Sequence, residues 1–146
     1  MATQVFDQDI IMANTSRGSV LIEVGAGELI DKITILKIKA RQMTDPAKLR
    51  NVNHELEVLN RACAENLAPS TELDRLEDEL TQVNQALWVI EDDIRACEAA
   101  RDFGPKFIEL ARSVYIQNDR RATIKKAINE LCGSNIVEEK SYTEFS

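Results

Sequence analysis

The chain has 146 residues, 44% of them hydrophobic and 29% charged, and a formal net charge of −7. This length predicts a single domain with one core. The acidic balance argues against binding to the phosphate backbone of a nucleic acid. No apolar run approaches the ~20 residues that cross a bilayer, and no basic residue precedes Arg17, so neither a membrane span nor a secretory signal is expected. Three widely spaced cysteines fit reduced thiols, which predicts a cytoplasmic location.

The N-terminal part lacks helical periodicity. Residues 1–19 are predicted to form a mobile tail. Residues 20–24, Val-Leu-Ile-Glu-Val, alternate in polarity weakly and indicate a possible short strand before Gly25 and Gly27. Residues 20–146 are predicted to form one helical domain.

Four helices are predicted from apolar residues at helical spacing and from the turn residues between them. They span about residues 28–43, 46–66, 72–101 and 105–132. The third has the clearest pattern, because its apolar residues step by three and four, as in a coiled coil. These residues are Leu73, Leu76, Leu80, Val83, Leu87, Ile90, Ile94 and Cys97.

These elements predict an all-α fold, an antiparallel bundle of a short helical hairpin followed by a long, coiled-coil-like one. The shorter hairpin is too short to cover the longer one along its full length. We therefore expect part of the long hairpin to be uncovered, and a homodimer that buries it.

One arginine stands where an apolar side chain is expected. Arg121 shares a heptad position of the fourth helix with Val114 and Ile128. A buried guanidinium needs a partner. One interpretation is an ion pair with a carboxylate of the third helix, which would fix the register of the two helices. The other is a pocket in which Arg121, together with Arg112 or Lys125, binds a phosphate or carboxylate.

Antiparallel packing brings further polar residues to this level of the bundle. The candidate ligand-binding residues are Lys32, Trp88, Arg95, Arg112, Tyr115, Asn118, Asp119, Arg121 and Lys125. The candidate catalytic acids or bases are Glu28, Asp31 and Glu91. Glu28 and Asp31 also suit a structural role, because acidic residues stabilise the N-terminus of a helix. Trp88 equally suits an anchor of the core.

The sequence lacks the residues that several common kinds of catalytic or metal site require. The single histidine, His54, excludes histidine-based metal sites, and the chain has no C-x-x-C, no phosphate-binding glycine loop and no E-x-x-E pair. We expect no metal and no cofactor. Whether the protein is an enzyme is left open by the sequence.

Two blocks resemble a known family: residues 27–36, GELIDKITIL, and residues 102–142, which contain FIELARSVY and NDRR. The resemblance extends over about residues 20–142. It is to small bacterial proteins classed as a domain of unknown function, often encoded near glycosyltransferase or surface-polysaccharide genes. It implies no particular activity, but its blocks contain most of the polar residues named above.

Two hypotheses of function follow. The first is a helical bundle that binds a small phosphorylated or carboxylated ligand, such as a sugar nucleotide, in a polar pocket between helices. The second is a non-catalytic, homo-oligomeric adaptor of surface-polysaccharide biosynthesis that docks a protein partner, with Arg121 as a register device.

Overall fold

The computed structural model describes residues 18–145. This part of the chain forms four helices: α1 (Ala26–Gln42), α2 (Pro46–Asn66), α3 (Thr71–Ala100) and α4 (Pro105–Cys132). Each bound lies within two residues of the predicted one, and the all-α bundle of two helical hairpins is confirmed. The predicted mobile tail lies outside the described residues, apart from residues 18 and 19.

The prediction of a possible short strand at residues 20–24 was wrong. No strand is present in residues 18–145, and Val20, Leu21 and Ile22 are 75–85% exposed. A short apolar segment needs a neighbouring strand to satisfy its backbone groups, and none of the described residues supplies one. Helix α1 also begins earlier than expected, so that Gly27 lies within its first turn.

Local signals set the helix ends. The Asp45 carboxylate caps α2 by accepting from the Ala47 N–H at 2.9 Å, and Pro46 occupies the first helical position. The Ser70 hydroxyl caps α3 by accepting from the Leu73 N–H at 3.0 Å. Gly133 ends α4 with a φ of 64°, a left-handed conformation that glycine adopts without strain.

The core lies where α1 crosses the long hairpin of α3 and α4. Its buried members are Ala26, Ile30, Leu73, Leu76, Leu80, Val83, Ile124 and Ile128. Helix α2 packs on α1, and its Cys63 lies against the edge of this core. The core therefore involves the N-terminal half of α3 and the C-terminal half of α4.

The other half of the long hairpin, residues 88–118, contributes no residue to this core. Among these residues only Cys97 is fully buried. Helices α3 and α4 have 30 and 28 residues, whereas α1 has 17, so α1 spans only part of the hairpin length. We call residues 88–118 the distal half.

No helix in residues 18–145 combines the length and the apolar character that a bilayer crossing requires.

Candidate functional site

Asp31 is the centre of the polar cluster. Its side chain is 1% exposed, although it carries a carboxylate. Arg121 Nε donates to Asp31 Oδ1 at 2.9 Å, and Arg121 Nη2 donates to Asp31 Oδ2. Asn84 Nδ2 donates to Oδ1 at 2.8 Å. Residues of α1, α3 and α4 thus meet at one buried carboxylate, and both of its oxygens are bonded.

Thr34 is hydrogen-bonded to both Asp31 and Asn84. Its hydroxyl donates to the Asp31 backbone carbonyl at 2.7 Å and accepts from Asn84 Nδ2 at 2.9 Å. Asp31 and Thr34 lie one turn apart on α1, so both face α3. Asn84 therefore bonds two groups of α1 at once, which fixes its amide between them.

Gly27 brings the start of α1 close enough to α4 for these bonds. A Cβ added at Gly27 would overlap the backbone carbonyl of Lys125. The Gly27 N–H donates to Asn129 Oδ1 at 2.7 Å, and the Ala26 N–H donates to the Ser134 hydroxyl at 2.8 Å. Side chains from the far end of the chain thus cap α1, because Gly25 offers no side chain to do so.

Lys125 joins the cluster to the C-terminal segment. Its side chain is 13% exposed. Its Nζ lies 2.7 Å from Glu28, 3.8 Å from Asp31 and 3.3 Å from Glu138. Glu138 also pairs with Lys140 at 2.8 Å. Residues 136–145, here called the C-terminal strap, are joined to α4 by the Lys125–Glu138 ion pair.

The ion-paired network has a small positive excess. Three carboxylates and four cationic groups are linked, since Lys32 lies 3.9 Å from Glu28. The network therefore has one net positive charge in a chain whose net charge is −7.

The geometry keeps the strongest pairs ionised. The hydrogen bonds to Asp31 raise the pKa of Arg121, outweighing the opposing effect of burial. The hydrogen bond from Lys140 lowers the pKa of Glu138, with Lys125 adding to the shift, and raises the pKa of Lys140. Arg121, Glu138 and Lys140 are therefore charged at neutral pH.

Two clefts flank Arg121. The first, the strap cleft, lies between α4 and the C-terminal strap, has a volume of about 740 Å³ and reaches Lys125 and Lys140. The second, the Trp88 cleft, lies between α1, α3 and α4 and has a volume of about 470 Å³. Both are lined by Val114, Asn118 and Arg121. The guanidinium thus stands in the wall between two open spaces.

The structure brings most of the predicted site residues to these places. Glu28, Asp31, Arg121 and Lys125 form the ion-paired network. Tyr115, Asn118 and Asp119 line the strap cleft, and Trp88, Glu91 and Arg95 line the Trp88 cleft. Glu91 and Arg95 pair with each other at 3.2 Å across one turn of α3.

Two predicted residues stand apart. Arg112 is exposed and lines neither cleft, so it does not accompany Arg121. Lys32 is exposed at the edge of the network and contacts Glu28 rather than Asp31.

The prediction that Arg121 pairs with a carboxylate of the third helix was wrong. Its guanidinium pairs with Asp31 of α1, not with a carboxylate of the third helix. The α3 side chain at this level is Asn84, which itself donates to Asp31. The crossing of α1 over the long hairpin places the acid there, and periodicity along α3 and α4 contains no information about that crossing.

Several site residues were missed. Thr34 follows Asp31 by three positions, a helical spacing that would have indicated a shared face. Asn84 follows Val83 of the apolar heptad pattern and is buried. A polar residue next to that pattern was the signal that could have identified it. Strap residues Glu138, Lys140, Tyr142 and Phe145 belong to an irregular segment, for which periodicity gives no position. Within residues 18–145, no group of three His, Cys, Asp or Glu side chains is placed to hold a metal ion.

Comparison with known proteins gives a family match. The model of a family of unknown function, DUF6165, matches residues 20–145. No curated protein and no solved structure matches the chain significantly. The matched region contains all four helices, the Asp31 network and the strap. The chain therefore belongs to DUF6165, a family of unknown function.

Proposed function

We propose that the protein binds a small anionic ligand in the strap cleft, with Arg121 as the anchoring group. The observation that carries this proposal is the orientation of the guanidinium. Its hydrogen bonds to residues 18–145 use Nε and Nη2, both directed to Asp31. Nη1 therefore has no acceptor among these residues, and the side chain is 29% exposed in the wall of the cleft.

A guanidinium held in this way suits an anion. Its planar fork presents N–H donors in fixed directions, and a buried carboxylate behind it removes most of its rotational freedom. The orientation is set before a ligand arrives, which lowers the entropic cost of binding.

The neighbouring cations support the same ligand. Lys125 and Lys140 both line the strap cleft, and Glu138 bonds both of them. An incoming phosphate or carboxylate would take over the role of the Glu138 carboxylate. The proposal is for binding, because the candidate bases Glu28, Asp31 and Glu91 each already pair with a cation.

Isothermal titration calorimetry with pyrophosphate and citrate tests the proposal. We expect at least one of them to bind, and Arg121→Lys to weaken that binding by about 10- to 100-fold, as for the loss of a charged hydrogen bond. Arg112→Lys is the matched control, since Arg112 is exposed on the same helix outside both clefts. Absence of binding to both anions, or equal effects of the two substitutions, would contradict the proposal.

A second candidate function is self-association through the distal half of the long hairpin. Val89 of α3 and Ile108 of α4 are each about half exposed there. The distal part of α3 is acidic, with Glu91, Asp92, Asp93 and Glu98, whereas Lys106 and Arg112 are exposed on α4. Two copies related by a two-fold axis would place α3 of one against α4 of the other, pairing opposite charges and covering apolar surface.

Light scattering after size exclusion tests this second function. We expect twice the chain mass of 16.4 kDa, and expect Ile108→Glu to return the protein to one chain mass. Val58→Glu is the control, since Val58 is 45% exposed on α2 outside the distal half. A monomer at micromolar concentration would rule this function out.

A further inference from the structure

The strap cleft has an aromatic end. Tyr115 of α4 and Phe145 of the strap meet edge to face, with ring centroids 5.0 Å apart. Tyr142 lies between Lys140 and Phe145 in the strap, lines the same cleft and is 74% exposed. The chain has only seven aromatic residues, so three of them line one cleft. Exposed rings at a cleft are platforms on which a flat ligand stacks.

The cationic and aromatic groups lie at opposite ends of this cleft. The strap runs antiparallel to α4, because Glu138 contacts Lys125 and Phe145 contacts Tyr115. Lys125 and Tyr115 are ten residues apart on α4, which is about 15 Å at 1.5 Å per residue. Arg121 lies between them. The cleft is therefore much longer than a phosphate group, and its volume of about 740 Å³ is in the range of sites for whole organic molecules.

Carboxylates set the polarity of the aromatic end. Asp119 and Glu144 line the cleft together with Tyr115 and Phe145. They repel a phosphate from this end and accept hydrogen bonds from hydroxyl or N–H groups of a ligand. The phosphate is thereby directed to the end with Lys125 and Lys140.

We infer that the ligand of the strap cleft is a nucleoside phosphate. Its phosphate binds at Arg121, Lys125 and Lys140, and its base stacks on Tyr142 and Phe145. Its hydroxyl and amino groups donate to Asp119 and Glu144. The inference rests on the proposed anion-binding function and adds the organic part of the ligand.

Calorimetry with matched probes tests the inference. The probes are the common ribonucleoside mono- and diphosphates, ribose 5-phosphate, pyrophosphate and citrate. At least one nucleotide should bind about tenfold more tightly than ribose 5-phosphate, a difference typical of stacking one base. Tyr142→Ala and Phe145→Ala should each weaken nucleotide binding by about tenfold and leave pyrophosphate binding unchanged.

Phe103→Ala is the matched control. Phe103 is also exposed and also meets a second ring, that of Phe107, edge to face at 5.2 Å, but it lies in the turn before α4. Its substitution should change no binding constant. If ribose 5-phosphate or pyrophosphate binds as tightly as every nucleotide, or if only citrate binds, the inference is wrong and the anion-binding function stands. If neither pyrophosphate nor citrate binds, the anion-binding function itself is wrong.

Discussion

Arg121 donates to both carboxylate oxygens of Asp31, a residue 90 positions earlier in the chain. The pair joins the first helix to the last, and the carboxylate has almost no contact with solvent. Each charge compensates the other, because an unpaired charge in the interior would cost several kcal/mol of folding free energy. Arg121 therefore has a structural role in addition to the binding role proposed for it.

A double-mutant cycle on this pair measures the structural part. Asp31→Ala should lower the free energy of unfolding by about 3 kcal/mol, because it leaves Arg121 without its acceptor. Arg121→Met should lower it by a similar amount, and the double variant should lose less than the sum by about 1–3 kcal/mol. Urea denaturation gives all four values. Strict additivity would show that the two residues do not stabilise each other.

Asn84→Ala should lower the free energy of unfolding by about 1–3 kcal/mol, the usual cost of leaving a buried acceptor without a donor. The Thr34 hydroxyl would lose its donor, and Asp31 Oδ1 would keep only the hydrogen bond from Arg121 Nε. Asn53→Ala is the control, because Asn53 is an exposed asparagine within α2. Thermal unfolding followed by circular dichroism compares the two. Equal melting temperatures for the two variants would contradict the role assigned to Asn84.

Gly27→Ala should destabilise the protein by about 2 kcal/mol, because the new methyl group overlaps the Lys125 carbonyl and forces α1 away from α4. A glycine-to-alanine change within an exposed helix acts in the opposite direction. Gly104→Ala serves as the comparison, since its added Cβ meets only an Asp102 side-chain oxygen at 3.2 Å. Denaturant midpoints report the difference, and a stabilised Gly27→Ala variant would disprove the close approach.

The contacts of the strap should depend on pH through Glu138. Lys140 and Lys125 lower the pKa of Glu138 from its ordinary 4.5. A carboxylate whose pKa is lower in the folded state than in the unfolded state stabilises the fold fully at a pH above its unfolded-state pKa. This stabilisation is lost as the pH falls through its folded-state pKa. The Phe145 ring resonances in NMR spectra should therefore stay constant from pH 8 to about 5 and change only below the ordinary glutamate pKa. In Glu138→Gln this acid transition should be smaller than in the parent protein, and a transition near neutral pH in the parent protein would argue against these pairs.

The helices were predictable because their signals are local. Proline, serine and glycine mark the ends at Pro46, Ser70 and Gly133, and the heptad steps of α3 continue as one helix through the distal half. Arg121 was recognisable as a misplaced charge for the same reason. Each signal lies within a few residues of the structure that it specifies.

The partner of Arg121 was not predictable from such signals. Asp31 reaches it because Gly27 allows close packing and α1 crosses the long hairpin at that level. Both depend on contacts between distant segments, which periodicity does not describe. The places of the strap residues at the site were missed for a related reason, since Glu138 and Phe145 are positioned by Lys125 and Tyr115 rather than by helical spacing.

The capping of α1 by Asn129 and Ser134 also has a consequence for how the protein is made. The capped N–H groups of Gly27 and Ala26 are separated from these acceptors by 102 and 108 residues. On the ribosome, the first hairpin emerges long before the side chains that cap its first helix have been synthesised. The end of α1 can be capped only after residues 129 and 134 have left the exit tunnel, and a chain released before residue 129 would expose an uncapped helix end to chaperones and proteases.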